Sequence, residues 1–167
     1  YSTENRTEII DVLSRHPWDQ IGLSCHFYKI SSSSHRLNLV SKRDEKLFSL
    51  SRPEAEKIIR EYYSTLMDGV EHIPANVVCH IDGVLRYHPD ITTMQIPWDV
   101  VLPLFETIKK RGMAIEVNTS GIAIRGEVFP CSALLEKATS MDIPFIAGSD
   151  AHSPNQVGGY FEELIKL

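Results

Sequence analysis

Short apolar runs alternate along this chain with longer stretches in which apolar residues return every three or four positions. Four runs have the continuous apolar character of parallel strands covered on both faces: Ile21 to His26, Asn76 to His80, Met113 to Asn118 and Pro144 to Ser149. Amphipathic spacing predicts helices over Thr3 to Ser14, Pro53 to Met67, Trp98 to Arg111, Ser132 to Met141 and Asn155 to Leu167. Gly112 follows "TIKKR", so cations precede a residue that tolerates positive φ, which is a helix stop. Ser51 to Glu54, "SRPE", puts a hydroxyl cap, a first-turn proline and a carboxylate at a helix start. The alternation of elements predicts the α/β class. From Ser31 to Ser51 the chain is serine-rich and then charged, and the spacing predicts a loop with a functional or mobile character. No repeat and no linker divides residues 1–167, which are read as a single domain.

Composition narrows the partners. The 167 residues are 43% hydrophobic, enough for a packed core. With 17 basic and 22 acidic side chains the formal net charge is -5, and no basic stripe interleaves with aromatics, which disfavours nucleic acid. No apolar run approaches the roughly 18 to 20 residues of a membrane span, and the start "YSTENRTEII" lacks a signal-peptide pattern. No membrane partner is expected. Cys25, Cys79 and Cys131 are an odd number, far apart, with no CxxC. That argues against a disulfide framework or a cysteine zinc knuckle and fits a reducing, cytoplasmic setting. The start also lacks an initiator Met and runs almost directly into a helix, so the chain is expected to be part of a longer protein.

The chemistry lies where the strands end. His26 and His80 close two of the apolar runs, Asp150 follows a third, and His152 comes two positions later; Glu116 and Asn118 close the fourth. Carboxyl ends of parallel strands converge on a common hollow, so these side chains are expected to meet in one pocket. A lone histidine at a strand end is more often a packing residue than a ligand. Three imidazoles and a carboxylate together form the mixed N/O set that zinc, manganese or iron takes. Extended geometry through Ala151 would point Asp150 and His152 to the same side. Cys25 and Cys79 each precede a histidine and should point the other way, as small buried apolar groups. His16, His35, His72 and His88 are expected to be solvated, with His35 of more interest because its loop follows the His26 strand.

"GSDAHSPNQVG" (Gly148 to Gly158), "EVNTSG" (Glu116 to Gly121), "CHIDGVLRY" (Cys79 to Tyr87) and "GLSCHF" (Gly22 to Phe27) occur in the order found in PHP-domain phosphoesterases. The chain resembles that family, and within it the PHP-type histidinol-phosphatases, over nearly its whole length. The resemblance implies a distorted (β/α)7 barrel, of which this chain supplies roughly the C-terminal four strands and their helices. Four strands cannot close a barrel, since the smallest filled ones use about eight. It also implies up to three divalent metal ions at the strand ends, with His26 and His80 sharing one ion beside a bridging glutamate, Asp150 on a second and His152 on a third. The family's upstream His-x-His pair, two further histidines and bridging glutamate are not in these residues, so the chain alone is expected to lack a complete site.

The function implied is hydrolysis of L-histidinol phosphate to L-histidinol and phosphate in histidine biosynthesis, by attack of a metal-bound hydroxide. Divalent ions can supply the hydroxide, neutralise phosphoryl oxygens and align the nucleophile, so no side-chain nucleophile is needed and Ser149 is given a structural role. His26, His80, Asp150 and His152 are the candidate catalytic and metal-binding residues. Arg125, in the loop after the third strand, is the first candidate for the substrate phosphate, because guanidinium matches phosphate oxygens bidentately, and its alternative is a surface arginine. Arg86 is the second phosphate candidate, by resemblance. Asn118 and Glu116 could orient ligands or the substrate amine, and Glu116 has a competing reading as a buried partner of a helix-end cation. Two other classes stay open: a PHP phosphoesterase acting on a nucleotide or a nucleic-acid end, and a non-catalytic PHP scaffold.

Overall fold

The computed structural model describes residues 1–29, 36–41, 43, 45–84, 86–88 and 95–165. In chain order its helices are α1 (Arg6–Ser14), α2 (Glu45–Phe48), α3 (Arg52–His72), α4 (Trp98–Lys110), α5 (Ser120–Arg125), α6 (Ser132–Ser140) and α7 (Phe161–Leu164). Its strands are β1 (Gly22–Leu23), β2 (Phe27–Lys29), β3 (Arg36–Asn38), β4 (Val77–Val78), β5 (Ala114–Asn118) and β6 (Phe145–Gly148). The four expected apolar runs form one parallel sheet in the order β1-β4-β5-β6. Its ladders run over two residue pairs for β1 with β4 and for β4 with β5, and over four for β5 with β6.

The core lies between the sheet and α3, α4 and α6. Helix α3 presents Ala55, Ile58, Ile59, Tyr62, Tyr63, Leu66 and Val70 at helical spacing, all buried, and α4 answers with Val101, Leu104, Phe105 and Ile108. Each Ile, Leu, Val or Phe among them contributes on the order of 2 kcal/mol when fully buried. At the start of α3 the Ser51 N–H donates to Glu54 Oε2 at 2.9 Å, completing a capping box. Gly112 takes φ +64 after α4, as its position after the cations predicts.

Three expectations give way. The segment read as a loop from Ser31 to Ser51 contains β3, which pairs antiparallel with β2 just before the segment, and the short helix α2. Tyr28 pairs with Leu37, and Leu37, Leu39 and Leu47 are buried, so apolar residues spaced among serines and charges anchor it to the core. The helix expected over Asn155 to Leu167 is a single 3-10 turn at Pro154–Gln156 and the one-turn α7, separated by Gly158 at φ +72 and Tyr160 at φ +60, which no α-helix accommodates. Arg125 is not in a loop but is the last residue of α5, which the sequence pattern did not predict.

Candidate active site

Each strand delivers its polar end to the same rim of the sheet. His26 leaves β1 just before the hairpin, and the hairpin returns over it, with the Leu39 N–H donating to the His26 carbonyl at 2.7 Å. His80 leaves β4 in the left-handed region, at φ +30, and its N–H donates to Glu116 Oε2 at 2.9 Å. The same oxygen accepts from Asn118 Nδ2 at 3.0 Å, and Asn118 Oδ1 accepts from the Ser120 N–H at 3.0 Å. A carboxylate on β5 therefore ties down the end of β4. Asn118 is buried and is also bridged through its backbone to Phe129.

The imidazoles of His26 and His80 meet across β1 and β4. Their Nε2 atoms are 3.3 Å apart, with ring centroids at 5.1 Å and an interplanar angle of 28°. Burial, followed by the neighbouring His80, pushes the His26 imidazole down to about 4, and burial followed by Arg86 also lowers that of His80. Both rings are neutral at pH 7, the form in which imidazole ligates a metal. A separation of 3.3 Å is also the edge of a tetrahedron with metal–nitrogen bonds of about 2.05 Å. The His80 Nδ1 is buried with no hydrogen-bond partner among the described residues. On donor chemistry and spacing the pair fits a divalent ion. No group of three or more His, Cys, Asp or Glu side chains that could hold an ion occurs among the described residues.

Asp150 follows β6 at φ +47, so the extended geometry expected through Ala151 stops there. Asp150 and His152 nonetheless line one cavity, of about 800 Å³, together with His26 and Arg86. His152 is exposed, its Nδ1 2.7 Å from the Asp150 carbonyl and its N–H donating to Gln156 Oε1 at 2.9 Å. Arg86 is buried, with Nη1 3.8 Å from Asp150 Oδ2 and an Nε that has no partner among the described residues. The structure thus gathers His26, His80, Arg86, Asp150 and His152 at one mouth, with Glu116 and Asn118 beneath. Glu116 accepts from His80 and Asn118 rather than from the helix-end cation of its competing reading.

Arg125 is placed elsewhere. Its Nη2 donates to Asp82 Oδ2 at 3.0 Å and to the Val128 carbonyl at 2.6 Å, and its guanidinium lies 4.0 Å from the centroid of Phe129. It lines a separate cavity of about 230 Å³ with Asp82 and Tyr63. Asp82, whose carboxyl is raised by burial despite that arginine, occupies the guanidinium that was to serve a phosphate. His88 is buried, with Nε2 3.2 Å from the Leu50 carbonyl, so it is a packing residue and not a solvated one. His16 and His72 are exposed as expected, and His35 lies outside the described residues. Cys25 is buried, and Cys79 is half-buried with its thiol raised to about 12 by burial and then by Glu116. Sequence reasoning missed Asn38, Ser41, Arg43, Ser120 and Tyr160 on the cavity wall. Asn38 arrives on β3 and Ser41 and Arg43 just after it, in a segment whose signal was the spacing of Leu37 and Leu39.

With this geometry in place, residues 135–164 match the family described as PHP-associated. A probable histidinol-phosphatase from Deinococcus radiodurans is 27% identical over 111 residues, 65% of this chain and 41% of the relative. The histidinol-phosphatase of Bacillus subtilis is 29% identical over 152 residues, 86% of this chain and 56% of the relative. The chain spans about half the length of these curated relatives. In fold it matches the crystal structure of hisK from Listeria monocytogenes, a presumed histidinol phosphatase. The TM-score is 0.82 at 20% identity, covering 98% of this chain and 65% of that one. The parallel sheet and its flanking helices agree with the α/β fold that the resemblance implies.

Proposed function

We propose that this chain, which resembles PHP-type histidinol-phosphatases in sequence and shares the fold of one, carries part of the site of a metal-dependent phosphomonoesterase acting on L-histidinol phosphate. The observation that supports this most is the pair of neutral imidazoles, 3.3 Å apart at Nε2, beside a cavity lined by Arg86, Asp150 and His152. His26 and His80 would hold one divalent ion, with Asp150 and His152 as ligands of others, and the remaining ligands are assigned to the part of the parent protein outside this chain. When bound, such ions supply positive charge to the phosphoryl oxygens and Lewis acidity toward water.

The protein's own groups do the positioning. Glu116 fixes the His80 backbone, and Asn118 fixes Glu116, so the imidazole is held by its main chain. Arg86 lines the cavity with a largely desolvated guanidinium, which suits a phosphate oxygen. That burial keeps both imidazoles unprotonated near neutral pH leaves their nitrogens available to an ion rather than to a proton.

The test is phosphate release by the full-length protein from histidinol phosphate, nucleoside monophosphates and an aryl phosphate. Histidinol phosphate is expected to be hydrolysed with the highest kcat/KM; equal rates on all three would remove the substrate assignment. His80→Ala and Asp150→Asn are each expected to abolish turnover while circular dichroism stays unchanged. Full activity in both variants would remove the site.

A further inference from the structure

Arg86 raises a question of support. Its guanidinium is buried, its Nε has no partner among the described residues, and its acidic neighbour Asp150 is 3.8 Å away, beyond hydrogen-bond reach. A long cationic side chain with so few bonds would be expected to swing onto the carboxylate. What it does have is an aromatic face: its Cζ lies 5.2 Å from the centroid of Phe129, within the range of a cation–π contact.

Phe129 is itself held with unusual firmness. It has no solvent exposure. Its N–H donates to the Asn118 carbonyl at 3.0 Å, and its carbonyl accepts from the Asn118 N–H at 2.7 Å, so it is bridged to the end of β5. The segment can cross α5 because residue 121 is glycine: a Cβ there would meet the Glu127 carbonyl oxygen at 2.5 Å and the Phe129 nitrogen at 2.9 Å. Arg125, anchored by Asp82 and the Val128 carbonyl, lies over the same ring at 4.0 Å.

We propose that Phe129 is a positioning residue for the anion of the substrate, its ring seating the Arg86 guanidinium against the cavity and away from Asp150. The inference rests on the phosphatase reading above. Two guanidiniums share one ring, but Arg125 is bound through its Nη2 by Asp82 and the Val128 carbonyl, whereas Arg86 faces its carboxylate, Asp150, at 3.8 Å. Arg86 lines the cavity without a hydrogen bond to a carboxylate among the described residues, and the ring's negative face adds to the compensation that Asp150 gives its charge from 3.8 Å. A hydrophobic residue of the same size without a quadrupole would fill the space and leave the cation unsupported.

The experiment separates shape from charge. Mono-, di- and trifluorinated phenylalanine, incorporated at position 129 of the full-length protein, progressively withdraw charge from the ring at nearly constant volume. Inorganic phosphate binding is read by calorimetry, and L-histidinol binding by competition. Phosphate affinity is expected to fall stepwise along the series, by roughly fivefold at trifluoro, with L-histidinol affinity and the thermal midpoint unchanged. Phe129→Tyr should retain the wild-type affinity and Phe129→Leu should lose it. Flat phosphate affinity across the series, with Arg86→Gln still weakening phosphate, overturns the positioning role while sparing the phosphate assignment. Unchanged affinity in Arg86→Gln sinks that assignment, and the role of Phe129 with it.

Discussion

Gly148 is where the Glu116 side chain lies across β6: a Cβ at residue 148 would fall 2.0 Å from Oε1 and 2.7 Å from Cδ. Gly148→Ala therefore displaces the carboxylate that holds the His80 N–H. It is expected to cost about 2 kcal/mol in denaturant unfolding and to lower metal affinity in the same protein. Arg125 makes a contrasting case. Its pairing with buried Asp82 means that Arg125→Leu leaves an uncompensated carboxylate, with an expected loss of about 3 kcal/mol of stability. Inorganic phosphate binding to the folded fraction should not change. A weakened phosphate affinity at full stability would instead restore Arg125 as a substrate residue. The histidines carry the pH dependence. His26 titrates at about 4 in the folded chain against 6.5 unperturbed, so between those values the unfolded chain binds more protons and stability falls as pH drops. Denaturation midpoints of the metal-free protein should show this slope, and His26→Asn should flatten it.

Among the elements, α3 has the most complete set of local signals: cap, first-turn proline, carboxylate at the third position and an apolar stripe. Removing the cap hydroxyl in Ser51→Ala is expected to destabilise by about 1 kcal/mol, measured by chemical denaturation, with the cavity untouched. The β2–β3 hairpin is the opposite kind of element. Its strands are short and their outer residues Phe27 and Lys29 exposed, so it stands because Leu37 and Leu39 are buried and because Leu39 bonds to the His26 carbonyl. The hairpin thereby serves the site directly, placing Asn38, its last residue, on the cavity wall.

At the scale of the whole molecule, an ion shared by His26 and His80 would join the ends of β1 and β4, two strands separated by more than 50 residues of chain. Binding to the folded state alone contributes about 2.7 kcal/mol at a hundredfold excess over Kd. Adding zinc to the metal-free protein is expected to raise the thermal midpoint by roughly 5 to 10 °C. A chelator should reverse the rise, and His26→Asn or His80→Asn should abolish it. No rise in the unaltered protein would remove the ion from the histidine pair.

The sequence by itself determined the alternation of apolar strands and amphipathic helices, the start of α3, the stop after α4 and the motif order that points to a PHP barrel. These are short-range properties: periodicity, capping chemistry and positive-φ tolerance are written within a few residues of where they act. It also marked His26, His80, Asp150 and His152 as belonging together, because equivalent strand ends converge. Tertiary structure alone decided that Arg86 faces the cavity while Arg125 is consumed by Asp82, since which carboxylate a guanidinium meets depends on residues 43 positions away. It likewise decided that Glu116 serves the His80 backbone and that Leu39 bonds to the His26 carbonyl. Those outcomes turn on which buried polar groups find partners, and that is settled only when distant segments pack.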